Sequence, residues 1–223
     1  YLKRGITMFE SLKTSQCNFH LYIFAFDLET YEILSKINDK YFTVISLAEF
    51  ESDNLKKIKS SRTFQEYCWT CTPSVIAYAL SNFDLDHCIY LDADLYFFNS
   101  PKYLIDEIPT NRSVMITAHR YTKEYDQTVT SGKYCVQFQY FKNTPDGLNV
   151  LNWWQERCIE WCFNREENGK FGDQKYLDDW LVRFDKSVYE LENLGGGVAP
   201  WNVQQYKILK HNNGDIKASR KEM

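Results

Sequence analysis

The amino-acid sequence predicts an α/β fold with a mostly parallel central sheet flanked by helices, and three observations predict it. Residues 20 to 47 read strand, helix, strand with short connections: "HLYIFAF", "LETYEILSKI" and "YFTVISL". The first of these is a near-continuous apolar run, which a parallel strand covered on both faces requires. Third, several predicted strands end in ionisable residues, at Asp27, at Asp92 and Asp94, and at His119 and Arg120. Ligand sites of open α/β sheets lie beyond the carboxyl ends of strands, so these ends are expected to ring one cleft.

The elements follow in order. Ile6, Phe9 and Leu12 give a helical face over 6 to 13, and the opening "YLKRGITMFESL" reads as a helix start, so a strand is expected to precede it. After the strand at 20 to 26, the helix at 28 to 37 and the strand at 41 to 47, residues 50 to 61 are polar and read as surface. "RTFQEYCWTCTPSVIAYAL" at 62 to 80 is helical in pattern. Pro73 either kinks one helix or sits in the first turn of a second helix capped by Thr72. "CIYLDAD" is a strand up to its aspartates, and Asn99, Ser100 and Pro101 break the following "LYFF". A short helix at 101 to 107 and the strand "SVMITAH" come next.

"YCVQFQYF" at 134 to 141 alternates partly. Leu148, Leu151, Cys158 and Cys162 mark the buried side of a helix from 147 to 163, on which Trp153, Trp154 and Trp161 are either packing residues or a sugar platform. "FGDQKYLDDWLVRF" signals another helix, with Asp173 fit to cap it. The tail carries "GGG", "APWN" and two strand segments around Asn212, Asn213 and Gly214, which read as a hairpin turn. No internal repeat or second domain is visible, so 1–223 is expected to be one domain.

Composition narrows the function. With 223 residues, 44% hydrophobic and 17% aromatic, the chain can fill one sizeable core. A net charge of -4, with 26 Lys+Arg scattered among 30 Asp+Glu, gives no reason to expect a nucleic-acid partner. The lysine-rich "NLKKIKSSR" reads as a solvated linker or helix edge, with a phosphate or anionic-membrane contact as the alternative. Seven cysteines, several in apolar surroundings, read as reduced thiols of a cytosolic protein, although "CWTC" has redox spacing. No apolar run is of membrane-spanning length and no signal peptide is visible. The expected location is cytoplasmic, with a peripheral contact to the inner membrane as a variant.

"YLDADLYFF" carries the chemistry. Asp92 and Asp94 are two apart, so on a strand their side chains share a face about 7 Å apart, and a slight turn at Ala93 brings them to a common ion. Their hard oxygens suit Mn²⁺ or Mg²⁺, which commonly bind through one or two carboxylates plus substrate phosphates. A strand end with two solvated aspartates is the plain alternative.

This stretch resembles the aspartate-x-aspartate motif of nucleotide-sugar glycosyltransferases with the GT-A fold. The order of "YLKRGITMFESL", "RTFQEYCWTCTPS", "FGDQKYLDDW" and "APWN" is similar to that of retaining bacterial members. The resemblance spans most of the chain and implies a single GT-A-like domain with a C-terminal hairpin. It implies sugar transfer from a nucleotide-diphosphate donor to a glycan or lipid-linked glycan. By the same resemblance Asp92 and Asp94 are metal ligands and donor contacts, Arg62 and Thr70 contact the donor, and Asp173 and Gln174 lie beside the reacting sugar. His119 is a candidate to orient or donate to sugar or phosphate.

The chain departs from the family in two places. Cys135 and Gln137 stand where relatives tend to carry Asn-x-Gly, which is expected to alter donor or acceptor choice or weaken activity. "HNNGDIK" fits the His-x-x-Gly-x-x-Lys spacing of the usual third metal ligand, yet it also reads as a hairpin turn. The expectation is a chain that stops short of that ligand and starts after the first strand. The competing classes are a metal-dependent nucleotidyltransferase or phosphate-ester hydrolase, and an inactive carbohydrate-binding protein that keeps the fold.

Overall fold

The computed structural model describes residues 1–210 and 216–221. Helix α1 (Leu2–Thr14) buries Met8, Phe9, Ser11 and Leu12, the i, i+3 and i+4 stripe of a one-sided helix. Strand β1 (Leu21–Ala25) follows, and Asp27 then caps α2 (Leu28–Ser35), accepting the Thr30 amide at 2.7 Å. Strand β2 (Phe42–Ser46) returns parallel to β1, Leu21 opposite Phe42 and Ala25 opposite Ser46.

Two short helices follow, α3 (Leu47–Phe50) and α4 (Asp53–Lys59), the second within the polar stretch read as surface, started by the hydroxyls of Ser46 and Ser52. Leu55 and Phe50 anchor them in the core. Helix α5 (Phe64–Asn82) is continuous. A reciprocal capping box between Thr63 and Glu66 starts it, so Thr72 caps nothing and Pro73 sits inside. The missing Pro73 donor is tolerated because eleven of its nineteen residues are buried, and packing outweighs one lost bond.

Strand β3 (His87–Leu91), α6 (Lys102–Ile105), β4 (Val114–Ala118), α7 (Thr128–Ser131), β5 (Tyr134–Lys142), α8 (Pro145–Glu160), α9 (Trp180–Arg183) and β6 (Val188–Glu190) complete the α/β body. The expected helix after 171 is a 3₁₀ segment, Gln174–Asp179, leading into α9. Strands β7 (Tyr206–Lys210) and β8 (Ile216–Arg220) pair antiparallel as the expected C-terminal hairpin. His211 and the Asn212 to Gly214 turn lie outside the described residues.

The larger sheet has the order β3-β5-β4-β6. Its ladders are mixed rather than mostly parallel: β5 runs antiparallel to β3 and β4, and only β4 and β6 are parallel. The reason is the β4 to β5 connection. Ala118 pairs with Tyr134, so the chain re-enters at the end it left and can only return reversed. Strand β5 is covered on both faces, Tyr134 to Phe141 all being buried.

The main core lies between this sheet, α5 and α8. Trp154 and Trp180 meet edge to face at 5.4 Å, and Phe141 stacks on Trp154 at 6.1 Å. Trp154 is fully buried, Trp161 is buried, and Trp153 packs on Tyr176 and Phe184, so these tryptophans pack the fold rather than form a sugar platform. Among the described residues no helix is long and apolar enough to cross a membrane.

Candidate active site

Strand β3 delivers the aspartates. Its last ladder bond continues past the strand, the Asp92 amide donating to the Gln137 carbonyl at 3.0 Å, and the Leu95 amide then turns back to the Asp92 carbonyl at 3.4 Å. The chain bends at Ala93, at the wall of a cavity of about 1430 Å³ that Asp92 and Asp94 both line.

The two carboxylates differ. Asp92 is half-buried and its Oδ1 accepts the Tyr90 hydroxyl at 2.9 Å. Burial pushes its carboxyl up to about 6 against the pull of that hydrogen bond, and the neighbouring Asp94 charge adds to the rise. Asp94 is exposed and, among the described residues, makes one loose ion pair, with Arg4 at 3.4 Å.

Asp173 joins them from the far end of the sequence. It is buried, and its carboxyl is pushed up to about 7 by burial; Thr72 opposes the shift and the Asp92 charge adds to it. Two features place it. The Trp154 indole donates to the Asp173 carbonyl at 2.9 Å. Gly172 holds a left-handed φ of 53° with its α-carbon facing the Trp69 ring, where a β-carbon would stand 3.3 Å away. The Asp173 side chain makes no capping hydrogen bond, contrary to the expected helix-capping role, because Asp173 is itself helical, at φ -89° and ψ -28°, where a capping residue is extended. Tyr90 feels both Asp92 and Asp173, and Thr72 lies beside Tyr90 and Asp173. Thr72, Tyr90, Asp92 and Asp173 therefore form one group.

The other sequence-derived residues sit elsewhere. Gln174 is half-buried and donates to the Ser131 carbonyl at 2.9 Å. Thr70 is fully buried, bonded to the Glu66 carbonyl on a side of α5 away from the cavity. Arg62 lies over the Phe163 ring at 3.9 Å and donates to the Ile159 carbonyl at 3.3 Å, outside the cavity lining. His119 is buried and stacked on Tyr121 at 4.5 Å beside Trp201, and burial pushes its imidazole down to about 4, so it is neutral at pH 7. The "APWN" segment explains its place: the Trp201 indole and the Asn202 amide both donate to the His119 carbonyl, at 3.1 and 2.7 Å.

Cys135 is buried under the aspartates, its thiol pushed up to about 12 mainly by burial, with Asp92, Asp173 and Asp94 adding to the rise. Gln137 reaches toward Gly197, where a β-carbon would come within 3.2 Å of its amide nitrogen. Tyr90, Thr72 and Trp69 escaped sequence reasoning. Tyr90 had a signal, since it lies two residues before Asp92 and so on the same strand face.

Asp92 and Asp94 supply hard carboxylate oxygens at the cavity wall, the donor set Mn²⁺ or Mg²⁺ takes. Among the described residues no group of three His, Cys, Asp or Glu side chains is close enough to cage a metal. The pair fits a cation whose remaining positions are filled by water and phosphate oxygens.

Comparison with solved structures and curated relatives bears on the fold and the family. The galactosyltransferase LgtC, crystallised with donor and acceptor sugar analogues, superposes with a TM-score of 0.51 at 11% identity over 85% of this chain and 69% of that one. The glycosyltransferase GlyE of Streptococcus pneumoniae TIGR4 gives 0.52 at 16% identity over 85% of this chain and 42% of that one. No family model matches the chain. The fold is thus the GT-A fold that these glycosyltransferases share.

Among relatives, the uncharacterized Bacillus subtilis protein YfnF is 31% identical over 92% of this chain and 70% of its own length. The chain belongs to the family of YfnF. The uncharacterized YfnD of the same organism is 34% identical over 90% of this chain, which spans 65% of YfnD. A lipopolysaccharide 1,2-glucosyltransferase of Escherichia coli is 34% identical over 71% of this chain and 46% of its own length.

Proposed function

We propose that the protein transfers a sugar from a nucleotide-diphosphate donor to a hydroxyl of a glycan or lipid-linked glycan, with retention at the anomeric carbon and with Mn²⁺ or Mg²⁺ as cofactor. The observation that supports this reading is the placement of Asp92 and Asp94 at the carboxyl end of β3, on the cavity wall, with Asp173 near enough to Asp92 for their charges to interact. Asp173 comes from a distant part of the sequence, and it and Asp92 are held in a setting whose burial raises the pKa of both carboxyls. Such a setting is costly unless a cation and a polar substrate occupy it.

In this reading Asp92 and Asp94 hold the cation, which when bound offsets the charge that builds on the leaving diphosphate. Tyr90 keeps one Asp92 oxygen engaged and leaves the other to the cavity. Asp173 faces the anomeric carbon, where an ionised carboxylate stabilises positive character as the bond to the phosphate oxygen breaks. The acceptor hydroxyl forms the new bond, and its proton passes to the leaving diphosphate. Gln174 follows Asp173 and supports the sugar or acceptor on release from Ser131. His119, neutral and sandwiched, serves the shape of the β4 end.

The test is calorimetry of the full-length protein against UDP-, GDP- and CDP-sugars, with and without Mn²⁺, followed by anomer-sensitive product analysis. Metal-dependent binding of one donor, lost in Asp94→Ala, with an α-linked product from an α-linked donor, is the expected outcome. Donor binding indifferent to both Mn²⁺ and Asp94→Ala would overturn the metal role, and a β-linked product would overturn retention.

A further inference from the structure

Helix α5 carries an aromatic stripe that runs past Asp173. Thr72 lies beside Asp173 and Tyr90, and Trp69, Gln65 and Phe64 continue its side of the helix toward the first turn, at the three, seven and eight spacing of one face. At roughly 1.5 Å per residue, Trp69 stands about 4.5 Å and Phe64 about 12 Å along the axis from Thr72. The last turn of α5 runs into the start of β3, so its first turns stand beyond the carboxyl end of that strand. The stripe therefore leads outward from the aspartates.

The stripe is rigid and partly bare. Trp69 packs its inner edge on the main core and is half-buried. Its six-membered ring faces Gly172, the neighbour of Asp173. Phe171 flanks it with ring centroids 6.2 Å apart and planes at 44°. Farther out, Gln65 is exposed and Phe64 is 64% exposed. Fraying does not explain this exposure, because the Thr63 and Glu66 capping box holds the first turn. Glu66 also accepts the Asn164 amide at 2.8 Å, which pins the segment leading to Phe171 against the same turn. Apolar rings held toward water by a fixed turn bind a partner with little ordering cost.

The chemistry of the stripe selects its partner. A pyranose shows C–H groups on its faces and hydroxyls around its rim, which suits a flat indole with a carboxamide one helical turn away. An anion is disfavoured here. The first-turn amides that would attract one are engaged by the Thr63 hydroxyl, and the Glu66 carboxylate already stands among them, accepting the Thr63 amide at 2.8 Å. The nearby cations are engaged as well: Arg62 and Arg165 stack on Phe163 at 3.9 and 4.3 Å, Arg62 donates to the Ile159 carbonyl and Arg165 pairs with Glu167.

We infer that Trp69 and Phe64 form a stacking platform for a neutral acceptor glycan of at least two sugars. The terminal pyranose lies on Trp69 next to Asp173 with its hydroxyls on Gln65, and the sugar behind it lies against Phe64. Naming that glycan the acceptor rests on the sugar-transfer reading, whereas the platform itself rests on the placement of the rings.

Saturation-transfer NMR and calorimetry on the full-length protein test it. The probes are methyl glycosides of glucose, galactose and mannose, a disaccharide of each, and glycerol 1-phosphate and methyl glucuronide as anions. At least one neutral glycoside is expected to bind through its ring C–H protons, and its disaccharide more tightly. Trp69→Leu is expected to weaken that binding at least about 10-fold and Trp69→Phe less than about 3-fold. Phe64→Ser is expected to erase the advantage of the disaccharide, and its exposed position keeps this arm readable if Trp69→Leu does not fold. Failure of every neutral glycoside to bind would overturn the inference, as would tighter binding of either anion. Binding indifferent to the substitutions at Trp69 and Phe64 would overturn it too. Donor turnover with Mn²⁺ is read separately. Donor hydrolysis without glycoside binding sinks the platform alone, and glycoside binding without any donor turnover sinks the transfer reading alone.

Discussion

The indole of Trp154 donates to the backbone carbonyl of Asp173 across 2.9 Å, tying the most buried part of the core to the carboxylate that faces Asp92. Packing and site are therefore one structure at this point. Trp154→Phe keeps much of the apolar volume and removes the bond, leaving a buried carbonyl unpaired, at a cost of about 1–3 kcal/mol. The expected result is a lower melting temperature together with a fall in kcat larger than any rise in KM, read by parallel thermal and steady-state measurements. Unchanged kcat at saturating donor would show that the Asp173 backbone does not need this tie.

Asp92→Asn separates stability from cation binding. Burial disfavours the charged form of Asp92, so the uncharged amide is expected to stabilise the metal-free protein at pH 7.5 by about 1 kcal/mol, after discounting for partial exposure. Affinity for Mn²⁺ is expected to drop at least about 30-fold in the same variant. Chemical denaturation and calorimetry read the two effects, and a destabilised Asp92→Asn protein would contradict the strained-carboxylate reading.

The pH dependence of the metal-free protein has a definite sign. Asp92 and Asp173 titrate near about 6 and 7 in the fold, against about 3.9 in an unfolded chain. Between those values the native state keeps protons that the unfolded state has released. Their contribution is full below about pH 4 and is lost as pH rises through 6 and 7. Glu66 works oppositely: despite burial it is held below the usual range by the Asn164 and Thr63 amides, and its contribution is lost in acid. The melting temperature is expected to peak between about pH 4 and 6 and decline toward pH 8, with a flatter decline in Asp173→Asn and in excess Mn²⁺. A monotonic rise to pH 8 in metal-free buffer would refute the raised carboxyls.

Gly147 offers a control remote from the aspartates. A β-carbon there would stand 2.2 Å from the Lys142 carbonyl oxygen, where β5 turns into α8 under the Thr144 cap. Gly147→Ala is expected to cost about 2 kcal/mol or more in urea denaturation, despite the better helix propensity of alanine. The pH profile of the melting temperature should keep its shape.

Particular residues show what could be read from the sequence. The β3 exit was legible because an apolar run meeting two aspartates leaves few placements for either. The start of α5 was written in the Thr63 to Glu66 spacing, and that box decided the Pro73 alternative in favour of one helix. The reversal of β5 was not legible, since it depends on Ala118 meeting Tyr134 across the sheet. Helix phase explains the residues taken from short motifs. Trp69, Thr72 and Ile76 follow the three-and-four spacing of the face toward the cavity, while Thr70 falls off that stripe. His119 was rightly placed at a strand end, but its aromatic sandwich arises from Tyr121 and Trp201, and no local pattern announces Trp201.

The two tryptophans around Asp173 have a practical consequence. Trp69 borders the cavity and faces Gly172, while Trp154 grips the next residue from behind. Any change at the carboxylate thus lies between one indole in a wet setting and one in a dry setting. A solvent-bordering indole emits to the red of a dry one and a paramagnetic ion quenches nearby fluorescence, so under the proposed metal role Mn²⁺ is expected to quench a red-edge emission that Trp69→Phe removes.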